Sequence, residues 1–176
     1  MVNTIQSHAS KEKTLNKVDF KSLLESLPLV YCAEKQWSTV LPILQLAVGC
    51  EHLVETLDKF EREGKHHLHR LQSIFNELGV EVEECENKDV EVLVEECFDI
   101  IDLTPRNSFI RDAGLIVGMQ QLQQYQITAY TSLLAQALAC NAQKIVNLLR
   151  VIIHNKQQEE VLLAMAGTSQ MLDEIT

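Results

Sequence analysis

Three prolines and six glycines in 176 residues argue against a collagen-like repeat, a low-complexity tract or a long flexible linker. Only nine aromatics, with few alternating runs of valine, isoleucine and threonine, argue against an all-β sandwich. Basic residues are scarce as well. Fifteen Lys and Arg face 25 Asp and Glu, a net charge of −10, which disfavours a nucleic-acid partner because phosphate binding needs clustered cations. The polar stretch from Met1 to Lys17 lacks the apolar run of a signal peptide. Residues 113–143 carry no formal charge, yet seven glutamines and an asparagine make them too polar for lipid, so no membrane partner is expected. The five cysteines (Cys32, Cys50, Cys85, Cys97 and Cys140) are odd in number and form no Cys-x-x-Cys. They read as free thiols of a reducing compartment, and the expected location is the cytoplasm.

What is present is the composition of one soluble, mostly helical domain, 46% hydrophobic and 23% charged. Its charge is uneven. Between Glu81 and Asp102 stand ten acids and one base, Lys88, and the remainder is nearly neutral. That segment is either a solvated connector or a strip that takes a cation or a partner.

Apolar spacing divides the chain further. Residues 1–17 are expected to form a flexible polar tail, and a helical stretch follows from about Val18 to Val48, bent or interrupted near Pro28 and Pro42. A second helix spans about Glu51 to Leu78 and is closed by Gly79. A short helix is expected over Asp89–Leu103 and a long one over Asn107–Ala139, after the break at Thr104-Pro105. The last starts at Asn141 and ends near Gly167, leaving 167–176 as a C-terminal tail. Four long helices with one short helix in a crossover imply an antiparallel bundle over 18–166.

The seams of those helices carry polar residues at matching heights. Positions 23, 27, 30, 34, 37 and 41 put Glu34 within a buried stripe, and positions 53 to 78 of the second seam include Gly64 and His67. In the third helix, 116, 119, 123, 126, 130 and 133 include Gln123 and Gln126. In the fourth, 145, 148, 152, 155, 159 and 162 include Asn155 and Glu159. A lone polar seam residue usually means a satisfied core hydrogen bond. Four helices doing this together suggest a polar site inside the bundle, where di-iron carboxylate proteins hold their metals. Glu63-Gly-Lys-His66 is a formal Glu-x-x-His match, Glu34 supplies a second carboxylate, and the third helix offers only amides. This is half a metal site. No phosphate loop or nucleophile elbow is present, and no catalytic residue is expected.

The same residues carry a family resemblance. Tyr31-Cys-Ala-Glu34-Lys-Gln36, Leu41-Pro42, His69-Arg70-Leu71 through Phe75, Leu78-Gly79, Cys85, Arg111-Asp112-Ala113 and Tyr125 through Tyr130 resemble the motifs of the YciE/YciF-type ferritin-like proteins, bacterial stress-associated proteins of largely undefined biochemistry. The resemblance covers about residues 18–166. It implies an all-α, ferritin-like antiparallel four-helix bundle with a short extra helix in the crossover between helices 2 and 3, and a homodimer. It also implies metal-ligand acids on all four helices, and here this chain departs. Glu34 and Glu63 match the family glutamates, and His67 falls where members have Gln or His. The third-helix Glu-His-Tyr-Glu reads Gln123-Gln124-Tyr125-Gln126, and the fourth-helix Glu-Glu pair reads Asn155-Lys156, with Glu160 keeping a later acidic position. Gln keeps an acceptor oxygen but loses the charge that neutralises Fe²⁺ or Mn²⁺. Lys156, facing inward, would pair its ammonium with Glu34 or Glu63; the blander reading is a lysine that reaches solvent.

Three readings follow. The favoured one is a stress-related, non-catalytic relative that acts through protein contacts, with a degenerate di-metal site and no cofactor. The second is a metal-binding oxidase that holds Fe or Mn on Glu34, Glu63 and His66 or His67. The third is a regulatory module that binds through the acidic 81–102 segment.

Overall fold

A computed structural model describes residues 2–82 and 86–173, with side chains over 19–82 and 86–169. Cys85, expected to match a family cysteine, and the end of the C-terminal tail lie outside the described residues. Five helices make up the fold: α1 (Val2–Ala47), α2 (Glu51–Leu78), α3 (Lys88–Leu103), α4 (Phe109–Ala139) and α5 (Gln143–Asp173). Helix α1 packs on α2 and α4, α5 packs on the same two, and α3 lies against α1 and α4. No described helix is long and apolar enough to cross a membrane.

Several boundaries differ from the expectation. Helix α1 begins at Val2, so the stretch expected as a tail continues the helix; it holds no proline or glycine to stop one. It also runs unbroken through Pro28 and Pro42, because each removes one backbone donor while packing on α2 and α4 holds the helix on both sides. Helix α5 passes Gly167 and reaches Asp173, since one glycine costs only about 1 kcal/mol in a helix interior. Gly79 closes α2 as expected, at φ 67°, with its N–H donating to Asn76 O and the Val80 N–H to Phe75 O.

The turns are tied down from a distance. Asp112 on α4 accepts from the backbone N–H groups of Gly49 and Cys50 (2.9 Å each), which fixes the α1–α2 turn. Asn87 caps α3 by accepting from Val90 N–H (3.2 Å), and its amide donates to Leu29 O (3.2 Å) and Tyr125 OH (2.9 Å).

Gly114 and Gly118, one turn apart on α4, make the seat for α3. A Cβ on Gly118 would stand 2.7 Å from Cys97 Sγ, and one on Gly114 would stand 2.9 Å from Ile100 Cγ2. Gly118→Ala is therefore expected to lower stability by about 1–2 kcal/mol in urea unfolding, although alanine in an open helix interior gains about 1 kcal/mol. A stabilised variant would mean that α3 docks less closely than this.

The thiol expectation needs one correction. Cys50, Cys97 and Cys140 are free, but Cys32 is disulfide-bonded. Pairing depends on where the fold brings two Cβ atoms together, and sequence spacing does not disclose that.

The core falls into two apolar clusters. One gathers Trp37, Leu41, Leu57, Phe60, Met119 and Leu163, and the other gathers Leu27, Leu71, Phe75, Leu133, Leu149 and Ile152. Between them along every long helix lies the polar layer.

Candidate functional site

Seam periodicity sets which side chains enter that layer. Glu34 from α1, His67 from α2, Gln123 and Gln126 from α4, and Lys156 and Glu159 from α5 are all buried, with Glu34 and His67 at 0% exposure. Turning a helix by one residue rotates a side chain about 100°, so His66, beside the inward His67, is exposed and makes none of the layer's contacts. Gly64 is also buried in the α2 seam. A Cβ there would lie 3.0 Å from Ser38 Oγ and 3.8 Å from Glu34 Oε1, so the missing side chain leaves the carboxylate its space.

Glu34 is the hub. Its Oε1 lies 3.1 Å from His67 Nδ1 and 3.1 Å from Lys156 Nζ. Its Oε2 accepts from Gln126 Nε2 (3.1 Å) and from the Tyr130 hydroxyl (3.0 Å). A carboxylate has about four lone-pair directions, and four donors from three other helices take them. Lys156 also faces Glu159, with Nζ 3.5 Å from Oε2. Other polar atoms of the layer are buried without a hydrogen-bond partner: His67 Nε2, both amide atoms of Gln123, Gln126 Oε1 and Glu159 Oε1.

The electrostatics follow from that geometry. Burial alone would raise the Glu34 pKa, but the Lys156 ammonium and the His67 contact overcome it and hold the carboxyl down at about 2. Burial pushes Lys156 the other way, yet Glu34 and Glu159 raise it, so the ammonium persists. Tyr130 is driven well above the ordinary tyrosine value by burial and by the Glu34 charge, which keeps it a donor. Glu159 is raised by burial, which Lys156 only partly offsets.

A depressed carboxylate pKa contributes stability that is present above the unfolded value of 4.5 and is lost as pH falls through the folded value, about 2. The raised Lys156 contributes below its ordinary 10.5 and fades only as pH rises through its higher folded value. Glu159, raised, has the opposite sign to Glu34 and costs stability at neutral pH. The gap in urea midpoint between the wild type and Glu34→Gln is therefore expected to stay level from neutral down to about pH 5 and to close below that. A gap that closes above pH 6 instead would mean that Glu34 is not the group held down.

The remaining expected residues lie at the margin of the layer. Glu63 is half-buried and accepts from Asn155 Nδ2 at 2.9 Å. Gln124 is exposed and donates to Glu160. The α5 seam runs through Leu149, Lys156 and Leu163, one residue on from the expected 148, 155 and 162. Leu148-Leu149 and Leu162-Leu163 make both registers apolar, and the inward Lys156 accompanies the deeper one. Sequence reasoning placed Tyr130 in the core but missed its hydroxyl as a Glu34 donor; the signal was a buried tyrosine one turn beyond Gln126. Among the described residues, no group of three or more His, Cys, Asp or Glu side chains is arranged to hold a metal ion.

The family described as "Domain of unknown function (DUF892)" matches residues 20–175. The chain belongs to this family. It is similar to protein YciF of Escherichia coli (strain K12), at 27% identity over 134 residues, covering 76% of this chain and 80% of that one. The crystal structure of the E. coli stress protein YciF overlays it with a TM-score of 0.82 at 23% identity, covering 87% of this chain and 96% of the other. YcfI from Rhodopseudomonas palustris overlays with a TM-score of 0.79 at 21% identity, covering 83% and 92%. These overlays establish the helical fold of the chain.

Proposed function

We propose that this YciF-type protein is a ferritin-like bundle, with α3 as the extra crossover helix, whose di-metal site has become a charge-compensated hydrogen-bonded layer. The observation that carries the reading is the contact of Lys156 Nζ with Glu34 Oε1, 3.1 Å apart and fully buried. A di-metal centre needs carboxylates whose lone pairs are open to the ions. Here the carboxylate at the centre is occupied by four donors, and one of them is a cation standing where a second acid would be required. The residues do not fit a metal pair.

The protein is then non-catalytic and acts through its surface. By likeness to the E. coli stress protein it takes part in a stress response through protein contacts, as a homodimer in the cytoplasm. Cys50, Cys97 and Cys140 suit that compartment, and the disulfide at Cys32 is the exception to account for. The test is elemental analysis after anaerobic loading with Fe²⁺, Mn²⁺ or Zn²⁺ and desalting. Background metal for all three is expected. Stoichiometric metal that disappears in Glu34→Ala or Glu63→Ala would restore the oxidase reading.

A further inference from the structure

A groove of about 390 Å³ opens at the opposite end of the first core cluster from the polar layer, between the C-terminal end of α1, the face of α3 and the loop entering α4. One side of it is apolar, with Ile43, Leu46 and Ala47 from α1 and Phe98 and Ile101 from α3. Leu46 at the mouth is 89% exposed and Leu103, at the end of α3, is 84% exposed. The other side is polar, with Arg106 and Asn107 from the loop and Arg111 from the first turn of α4, and no carboxylate is among the lining residues.

Arg111 is held in place by its own hydrogen bonds. It is 6% exposed, and its Nε donates to Thr104 Oγ1 (3.1 Å) while Nη2 donates to Ile101 O (2.6 Å) and to Thr104 O. Those bonds close the end of α3 and lock the guanidinium plane. Nη1 makes none of them. Arg106 is exposed, and among the described residues neither arginine enters an ion pair. Arg106 and Arg111 are the charged side chains of the lining.

We infer that this groove binds a monocarboxylate with a short hydrocarbon tail. The fixed Arg111 Nη1 and the exposed Arg106 head take the carboxylate, and the aliphatic and aromatic side takes the tail. The volume falls at the low end of small-ligand sites, which suits a medium-chain acid. The site is separate from the polar layer and does not depend on whether that layer binds metal.

Octanoate is the probe, titrated into the full-length protein by calorimetry, with octanol and acetate as controls. Octanoate is expected to bind saturably and at least roughly tenfold more tightly than either control, since each lacks one half of the recognition. Arg106→Gln, at an exposed position, should weaken octanoate by about tenfold, the loss of one charge-assisted contact. Ile43→Asp, which adds a carboxylate to the apolar wall, should abolish binding while circular dichroism stays unchanged. Octanol binding as tightly as octanoate, acetate matching it, or octanoate affinity untouched by both substitutions would overturn the assignment. So would the absence of saturable octanoate binding.

Discussion

Lys156→Met is expected to destabilise the bundle by about 3–5 kcal/mol, the range seen when one partner of a buried pair is removed and the other charge is stranded. The side chain is 1% exposed, so water cannot replace the ammonium that Glu34 and Glu159 share. Methionine has a similar length and no charge, which separates the loss of the ion from the loss of packing. Glu34→Gln/Lys156→Met should recover much of that loss, because it removes both members and lets an amide face the Tyr130 hydroxyl and Gln126. A coupling energy of roughly 2 kcal/mol or more is expected from the double-mutant cycle in urea. A loss below about 1 kcal/mol in Lys156→Met would mean that the lysine reaches solvent.

Restoring the acids should restore a metal. Gln123→Glu/Gln126→Glu/Lys156→Glu replaces two amides and a cation with carboxylates around Glu34, whose buried neighbours already include Glu159 and His67. Without metal this variant carries several like charges in a buried layer, and it should melt well below the wild type. Adding Mn²⁺ or Fe²⁺ should reverse that. At a roughly thousandfold excess over Kd, binding adds about 4 kcal/mol, or about 8–16 °C for a chain of this size. The wild type should show no such metal-dependent rise. If metal leaves the melting temperature of the triple variant unchanged while its helicity is intact, the three side chains do not converge on Glu34.

Much of this arrangement could be read from the residues because helix periodicity is a strong local signal. The seams of α1, α2 and α4 place Glu34, His67, Gln123 and Gln126 inward, where they are found. Gly79 was legible because a left-handed helix cap favours glycine. Features set by contacts distant in the chain were not legible. Asp112 caps a turn 62 residues away, the α4 glycines seat Cys97 and Ile100, and the bonding state of Cys32 depends on the fold. On α5 the paired leucines at 148-149 and 162-163 left two apolar registers, and only tertiary packing chose the one that turns Lys156 inward. The groove beside Arg111 escaped sequence reasoning for the same reason. Arg111-Asp112-Ala113 is a motif match, and nothing in its spacing shows that the arginine closes α3 and lines a groove with Ile43.

An ammonium ion neutralises Glu34 at the centre of the bundle. Nuclear magnetic resonance of the full chain with isotope-labelled lysine side chains reads it most directly. One Nζ signal, absent in Lys156→Met, is expected to be a fully protonated ammonium with slow hydrogen exchange, coupled through its hydrogen bond to the Glu34 carboxylate and unmoved by Mn²⁺ or Zn²⁺. A fast-exchanging Lys156 signal like those of the surface lysines, or one displaced when metal is added, would contradict the account.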